Sequence, residues 1–181
     1  MNDACKKRYE ELIVDIPNHP KPGVTYKDIT PVFSDPDAFR EVVDELAAHF
    51  EGRGITKVMG AEARGFILGA PLACRMGVGF VPARKPGKLP RKTVAQSYEL
   101  EYGTDTLEVH ADALGLEDRV LVVDDLLATG GTAAAMVSLT QACGARVSGL
   151  GFFVELGFLH PRELLARVTD AEVFSLVNVE G

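Results

Sequence analysis

The stretch that decides the fold is Val120-Leu121-Val122-Val123-Asp124-Asp125-Leu126-Leu127-Ala128-Thr129-Gly130-Gly131-Thr132. It begins with a continuous apolar run, which is typical of a strand buried on both faces of a parallel sheet. Two adjacent carboxylates follow, and open α/β sheets bind their ligands at this end of their strands. A loop of small and hydroxyl residues comes next and leads into a predicted helix over residues 131–143.

The loop after the carboxylates has the composition of an anion site. Gly130 and Gly131 let backbone N–H groups approach an anion closely, and the start of the following helix favours negative charge. Thr129 and Thr132 add hydroxyl donors. No Gly-Lys-Ser/Thr closes the loop, so it is not a Walker A motif, and a dinucleotide fingerprint has no carboxylates before its glycines. Carboxylates for sugar hydroxyls beside a cradle for phosphate predict a ribose 5-phosphate site.

Strand and helix patterns alternate along the chain on both sides of this stretch. The predicted strands cover residues 57–60, 78–83, 107–110, 119–123, 147–154 and 173–177. The predicted helices cover residues 6–14, 34–50, 65–75, 131–143 and 161–167. This alternation predicts an α/β fold with a mainly parallel sheet. No repeat or linker interrupts it, so residues 1–181 are predicted to form a single domain.

The composition excludes several classes of protein. The chain has 46% apolar and 25% charged residues and a net charge of −7, which is ordinary for a globular domain. A general nucleic-acid or membrane-surface binder needs an excess of basic surface, so neither nucleic acid nor membrane is an expected partner. No apolar segment is long enough for a signal sequence or a membrane span, which predicts a cytoplasmic protein.

The cysteines and histidines predict no metal site within the protein. Cys5, Cys74 and Cys143 form no close pair, and the four histidines have no ligand spacing. Cys74 and Cys143 lie in apolar helical patterns, so both are expected to be small buried side chains.

The stretch quoted first resembles the phosphoribosyl diphosphate (PRPP) signature of the type I phosphoribosyltransferases. The resemblance implies that Asp124 and Asp125 contact the ribose hydroxyls, and that the loop of Ala128, Thr129, Gly130, Gly131 and Thr132 binds the 5-phosphate. It also implies the type I phosphoribosyltransferase fold. That fold has a mainly parallel sheet flanked by helices, an N-terminal hood (residues 1–34) and a flexible lid loop (residues 84–103).

A second motif, Gly60-Ala61-Glu62-Ala63-Arg64-Gly65-Phe66, combines a strand end, a small-residue loop and one arginine. Arginine binds phosphate oxygens bidentately. Taken alone, the motif is more typical of a surface ion pair. Beside the first motif it resembles the family's pyrophosphate loop, which implies that Arg64 is a catalytic residue that binds pyrophosphate.

The segment 84–103 is polar, contains proline and is too long for an ordinary connection. It carries five basic residues, and no aromatic residue is interleaved with them to stack nucleic-acid bases. A solvated loop is the usual reading of such a run, but a lid over a diphosphate fits its charge. The basic residues are Arg84, Lys85, Lys88, Arg91 and Lys92. The resemblance implies that Ser97, Tyr98 and Tyr102 are further lid residues that contact the pyrophosphate.

Glu101 lies just past the lid in Leu100-Glu101-Tyr102-Gly103. The segment alone favours an ordinary strand carboxylate. In adenine phosphoribosyltransferases the matching glutamate is the proposed general acid/base on the purine imidazole nitrogen, and a nearby carboxyl can manage the N7 and N9 protons.

The segment Pro22-Gly23-Val24-Thr25-Tyr26-Lys27-Asp28-Ile29-Thr30 resembles the hood of adenine phosphoribosyltransferases. The resemblance implies that Tyr26 stacks on the purine, that main-chain groups of Thr25 and Lys27 read its edge, and that Leu126 lies beside it. The usual family residues are phenylalanine and arginine where this chain has Tyr26 and Lys27. Tyrosine preserves the stacking face.

The implied reaction is purine salvage: adenine and PRPP give AMP and pyrophosphate. Mg²⁺ is expected to arrive chelated by the substrate, since it prefers substrate oxygens and water to an all-protein cage. Family membership implies a homodimer. Two alternatives stay open. A 6-oxopurine phosphoribosyltransferase would read O6 with Lys27, and a purine or PRPP sensor that regulates transcription would need a DNA-binding module that the chain before residue 55 lacks.

Overall fold

The computed structural model describes residues 3–19, 21–100 and 103–180. Nine strands are described within these ranges, and they form one central sheet and two small hairpins. The strands are β1 (Val14–Pro17), β2 (Thr25–Asp28), β3 (Lys57–Ala61), β4 (Gly79–Ala83), β5 (Thr93–Leu100), β6 (Gly103–His110), β7 (Arg119–Leu127), β8 (Arg146–Leu156) and β9 (Val173–Val179). The helices are α1 (Asp3–Leu12), α2 (Thr30–Ser34), α3 (Pro36–His49), α4 (Arg64–Met76), α5 (Gly131–Ala142) and α6 (Pro161–Leu165).

The central sheet has the order β4-β3-β7-β8-β9, and every pairing in it is parallel. All five strands therefore end at the same edge, and β3 and β7 lie side by side in its middle. Val120 to Val123 are fully buried, as a strand covered on both faces requires. The predicted fold class, an α/β fold with a mainly parallel sheet flanked by helices, is confirmed.

Each face of the sheet has its own apolar core. On one face α3 and α4 contribute Leu46, Phe50, Leu68 and Leu72. On the other face α5 packs Met136 and its neighbours against β3, β7 and β8. The sheet is thus held between two helical layers, which fixes the edge where the strands end.

The helix signals in the sequence act as expected at α3. The Asp35 carboxylate accepts hydrogen bonds from the N–H groups of Asp37 and Ala38 at 3.0 and 2.9 Å, and Pro36 occupies the first turn. At the C-terminal end of α4, Gly77 has a left-handed φ of 69°, which ends that helix.

The predicted lid loop is wrong as a description of its second half. Residues 93–100 form β5, which pairs antiparallel with β6, and β6 begins four residues before the predicted strand. Apolar side chains on one face explain this: Val94 lies opposite Val109, and α5 covers them. Polar residues alternate with the apolar ones and obscure the strand pattern in the sequence. Among the described residues of the predicted lid, those outside a strand are residues 84–92.

Three smaller expectations at the surface are also wrong. The first helix ends at Leu12, because Val14 already pairs with Asp28 in the β1–β2 hairpin of the hood. The short helix α2 was not predicted. Cys74 is exposed on α4, and Cys143, the residue after α5, is half-buried against the core. Among the described residues, no helix is long and apolar enough to cross a membrane.

Candidate active site

A cavity of about 360 Å³ lies where β3 and β7 end. This is the edge of a parallel sheet at which α/β proteins bind ligands. The residues that line the cavity are Glu62, Ala63, Arg64, Lys85, Tyr98, Asp105, Leu107, Asp124, Asp125, Leu126, Leu127, Ala128, Thr129, Gly130, Gly131, Thr132, Ala133 and Phe152. Three separate predicted motifs therefore meet in one place.

The two aspartates of β7 form the floor of this cavity. The Asp125 side chain is only 2% exposed, and its Oδ2 lies 2.9 Å from Nε of Arg64. That oxygen is buried and accepts no hydrogen bond within the described part of the chain, so it is an unused acceptor in the floor of the cavity. Asp124 Oδ1 accepts the N–H of Asp125 at 2.9 Å. Burial, and then repulsion from Asp125, raises the pKa of Asp124 well above its usual value.

The predicted phosphate loop joins β7 to α5. Gly130 is the residue before the helix, and its φ of 91° lies in the left-handed region that favours glycine. No side chain caps the helix, so the first N–H groups of α5 remain available to an anion. Tyr98 reaches across from β5, and its hydroxyl lies 3.4 Å from Thr132 Oγ1, which donates to it. Burial raises the pKa of Tyr98.

Close backbone packing brings Arg64 to the aspartates. A β-carbon on Gly60 would lie 2.7 Å from the carbonyl oxygen of Gly65. A β-carbon on Gly65 would lie 2.8 Å from Asp124 Oδ1. Only glycines fit at both positions, so β3 and the first turn of α4 can approach β7 closely enough for Arg64 to contact Asp125.

Arg84 and Lys85 are held by two acidic residues for which the sequence motifs predicted no role. Nε of Arg84 donates to Glu62 Oε2 at 2.7 Å, and Nζ of Lys85 lies 3.2 Å from Asp105 Oδ2. Burial would raise the pKa of Glu62, but hydrogen bonds from Arg84 and from the Lys85 N–H outweigh it and lower that pKa. Glu62 lies inside the second motif, while Asp105 follows only from the unpredicted start of β6.

The remaining lid residues divide between two sides of the β5–β6 hairpin. Tyr98 lines the cavity, whereas Ser97, its neighbour on the strand, points to the other side and its hydroxyl lies 2.9 Å from Thr106 Oγ1. Lys88 and Arg84 do not line the cavity. Glu101 and Tyr102 lie outside the described residues.

The hood residues lie on opposite faces of β2. Tyr26 accepts a hydrogen bond from Nη1 of Arg64, so it lies at the Arg64 side of the cavity without lining it. Lys27 turns the other way, and its Nζ lies 2.7 and 2.8 Å from the two carboxylate oxygens of Asp15. Thr25 has an exposed side chain, while Leu126 is half-buried and lines the cavity.

No group of three or more His, Cys, Asp or Glu side chains that could hold a metal ion occurs among residues 3–19, 21–100 and 103–180. Carboxylate oxygens do suit Mg²⁺, and Asp124 and Asp125 both line the cavity, but Oδ2 of Asp125 is buried and lies 2.9 Å from Nε of Arg64.

Comparison with known proteins identifies the family to which this fold belongs. The model of the phosphoribosyl transferase domain matches residues 34–164. The chain is 56% identical over 155 residues to the adenine phosphoribosyltransferase of Solidesulfovibrio magneticus. The aligned residues make up 86% of this chain and 91% of that relative.

Solved structures agree with this relationship. Adenine phosphoribosyltransferase from Thermoanaerobacter pseudethanolicus is similar with a TM-score of 0.91 and 48% identity, over 96% of this chain and 99% of that one. The Giardia lamblia enzyme, complexed with 9-deazaadenine, has a TM-score of 0.91 and 36% identity, over 97% and 98% of the two chains. The chain therefore belongs to the phosphoribosyltransferase family and, within it, to the adenine phosphoribosyltransferases.

Proposed function

We propose that this protein transfers the 5-phosphoribosyl group of PRPP to adenine, which gives AMP and pyrophosphate in purine salvage. The observation that carries the proposal is the convergence of three elements in one cavity: the aspartate pair, the phosphate loop and Arg64. These elements offer one partner to each part of PRPP. The aspartate pair can bind the ribose hydroxyls, the start of α5 can bind the 5-phosphate, and the Arg64 guanidinium can bind the diphosphate.

Adenine is favoured over the 6-oxopurines by the side chain of Lys27. A lysine that reads O6 must point into the base site, whereas the Lys27 ammonium group contacts the Asp15 carboxylate on the opposite face of β2 from Tyr26. The relatives that share most of this sequence are likewise adenine phosphoribosyltransferases.

The chemistry follows from where charge develops. The bond between the ribose anomeric carbon and pyrophosphate breaks, that carbon becomes positive, and N9 of adenine forms the new bond. Asp124 and Asp125 orient the ribose through its hydroxyls, and their negative charge stabilises the positive carbon. Arg64 and Lys85 stabilise the departing pyrophosphate. Tyr98, on the hairpin above the phosphate loop, helps to exclude water that would hydrolyse PRPP.

Glu101 is proposed to accept the proton that adenine loses. Glu101→Gln keeps the size of the side chain but removes the base, so we expect kcat to fall about 100-fold or more. A kcat within twofold of the parent would exclude Glu101 from this role.

Mg²⁺ is proposed to bind with the substrate, on the diphosphate and the ribose hydroxyls. When bound, it neutralises part of the diphosphate charge and so makes pyrophosphate a better leaving group. The carboxylates of Asp124 and Asp125, which line the cavity, support a position for the cation near the ribose.

We further propose that the protein is a cytoplasmic homodimer. Ile67 lies one turn after Arg64 on α4 and is 42% exposed, which supports an interface beside the pyrophosphate loop. Light scattering of Ile67→Asp at micromolar concentration should show monomers where the parent is dimeric.

The direct test of the site uses the double variant Asp124→Asn/Asp125→Asn. It keeps the shape of the cavity and removes the charge, so AMP formation should fall at least about 100-fold, because hydrogen bonds to charged groups are worth about 1.5–3 kcal/mol each. Asp37→Asn, an exposed aspartate paired with Arg40 on α3, is the matched control and should keep its activity. Full activity of the double variant would refute the ribose assignment.

A further inference from the structure

The hydroxyl of Tyr26 makes a contact that purine stacking does not require. It accepts a hydrogen bond from Nη1 of Arg64, and the guanidinium carbon lies 5.7 Å from the centre of the Tyr26 ring. A phenylalanine would offer a purine the same aromatic face without this bond. The contribution that the Tyr26 hydroxyl makes beyond the aromatic ring is therefore its hydrogen bond with Arg64.

This bond decides how the guanidinium is turned. Nε of Arg64 lies 2.9 Å from Asp125 Oδ2, but that oxygen accepts no hydrogen bond from the described residues, so the ion pair attracts the arginine without fixing its plane. The bond to Tyr26 is the one hydrogen bond that the Arg64 guanidinium makes to the described residues. Nη2 is left for a ligand, and planar bidentate binding of phosphate oxygens depends on the orientation of this fork.

Tyr26 is itself held from the far side. It lies opposite Ile16 in the β1–β2 hairpin, and the His19 ring packs edge-on against it with ring centres 5.3 Å apart. The hood thus supplies a fixed anchor for a long side chain that is 36% exposed.

We propose that Tyr26 is a positioning residue for the pyrophosphate site: its hydroxyl fixes the Arg64 guanidinium in the orientation that binds the diphosphate. The inference rests on the proposed function and deepens it, because one side chain then serves the purine with its ring and the leaving group with its hydroxyl. Positioning of this kind acts on diphosphate binding and leaves purine binding unchanged.

The test is Tyr26→Phe, which keeps the ring and removes only the hydroxyl. Calorimetric titration with magnesium pyrophosphate should show a Kd raised about tenfold, the order expected for loss of one hydrogen bond to a charged group. The KM for PRPP should rise with it, while the KM for adenine stays within about twofold. Thermal unfolding of the variant, compared with that of the parent, separates this effect from a general loss of structure.

The double variant Tyr26→Phe/Arg64→Ala completes a double-mutant cycle, which measures the effect of removing the hydroxyl with and without Arg64. If the Tyr26 hydroxyl acts through the arginine, the double variant and the single variant Arg64→Ala should bind pyrophosphate with Kd values that differ by less than about twofold. Three results would overturn the inference: an unchanged pyrophosphate Kd in Tyr26→Phe, an equal loss with and without Arg64, or an adenine KM that rises in step. Failure of the proposed function is a separate result, namely a parent protein that forms no AMP.

Discussion

Asp124 and Asp125 show at the scale of single residues that this site is built at the expense of stability. Two carboxylates lie next to each other in a buried strand, and the pKa of Asp124 is raised by burial and by its neighbour. Ionisation of Asp124 is therefore less favourable in the folded protein than in the unfolded chain, which lowers stability at neutral pH. Such a cost is typical of residues kept for a ligand.

Asp124→Asn should therefore stabilise the protein while it weakens catalysis. A raised pKa in the folded state contributes stability that is fully present below the usual aspartate pKa of about 3.9 and is lost as the pH rises from there through the raised pKa. The variant should thus unfold at a higher denaturant concentration than the parent at pH 7.5. The gain should disappear near pH 4, and kcat/KM should fall about tenfold to 100-fold.

Denaturant unfolding at several pH values measures this directly, with Asp37→Asn as the exposed control. A variant less stable than the parent at pH 7.5, or a gain that is the same at pH 4, would contradict the account of Asp124.

At the scale of elements, α6 supports the phosphate loop from behind. A β-carbon on Gly130 would lie 3.1 Å from the carbonyl oxygen of Pro161, at the start of α6. The next residue, Arg162, anchors the helix, since its Nε and Nη2 each donate to the buried Glu155 carboxylate at 2.8 Å. Ser175 Oγ donates to the same carboxylate. Burial opposes ionisation, but these bonds lower the pKa of Glu155.

Arg162→Ala should destabilise the protein by about 1–3 kcal/mol, because it leaves a buried charged group short of partners. The loss should be present at neutral pH and shrink as the pH falls through the lowered pKa of Glu155, where the carboxyl becomes neutral. Urea unfolding at pH 7.5 checks the size. The double variant Glu155→Gln/Arg162→Ala should recover part of the loss, and an equal or greater loss would contradict a charge-based anchor.

The elements also show which predictions a sequence supports. The apolar run of β7, the cap at Asp35 and the glycines before α5 are local signals, and each one led to the right element. The hairpin β5–β6 was missed because its pairing depends on α5, which is distant in sequence. Asp105 could not be assigned to the site for the same reason.

At the scale of the whole molecule, the parallel sheet is what assembles the site. Arg64 and Asp125 are far apart in the sequence, yet β3 and β7 are adjacent and end at the same edge. The motifs predicted that this edge binds a phosphorylated ribose. The contact of Lys27 with Asp15 could not be predicted because it depends on the pairing of β1 with β2, which the sequence pattern does not reveal. The contact of Tyr26 with Arg64 depends on how the hood hairpin faces the sheet.

The central claim is that this cavity joins PRPP to adenine, and the choice of base tests it most directly. The measurement is nucleotide formation by the purified protein with PRPP and Mg²⁺, with adenine, hypoxanthine, guanine and xanthine supplied in parallel reactions. The account predicts AMP and an equal amount of pyrophosphate from adenine, and at least about 100-fold lower kcat/KM for the other three bases. Comparable turnover of hypoxanthine, guanine or xanthine, or no AMP from adenine, would contradict it.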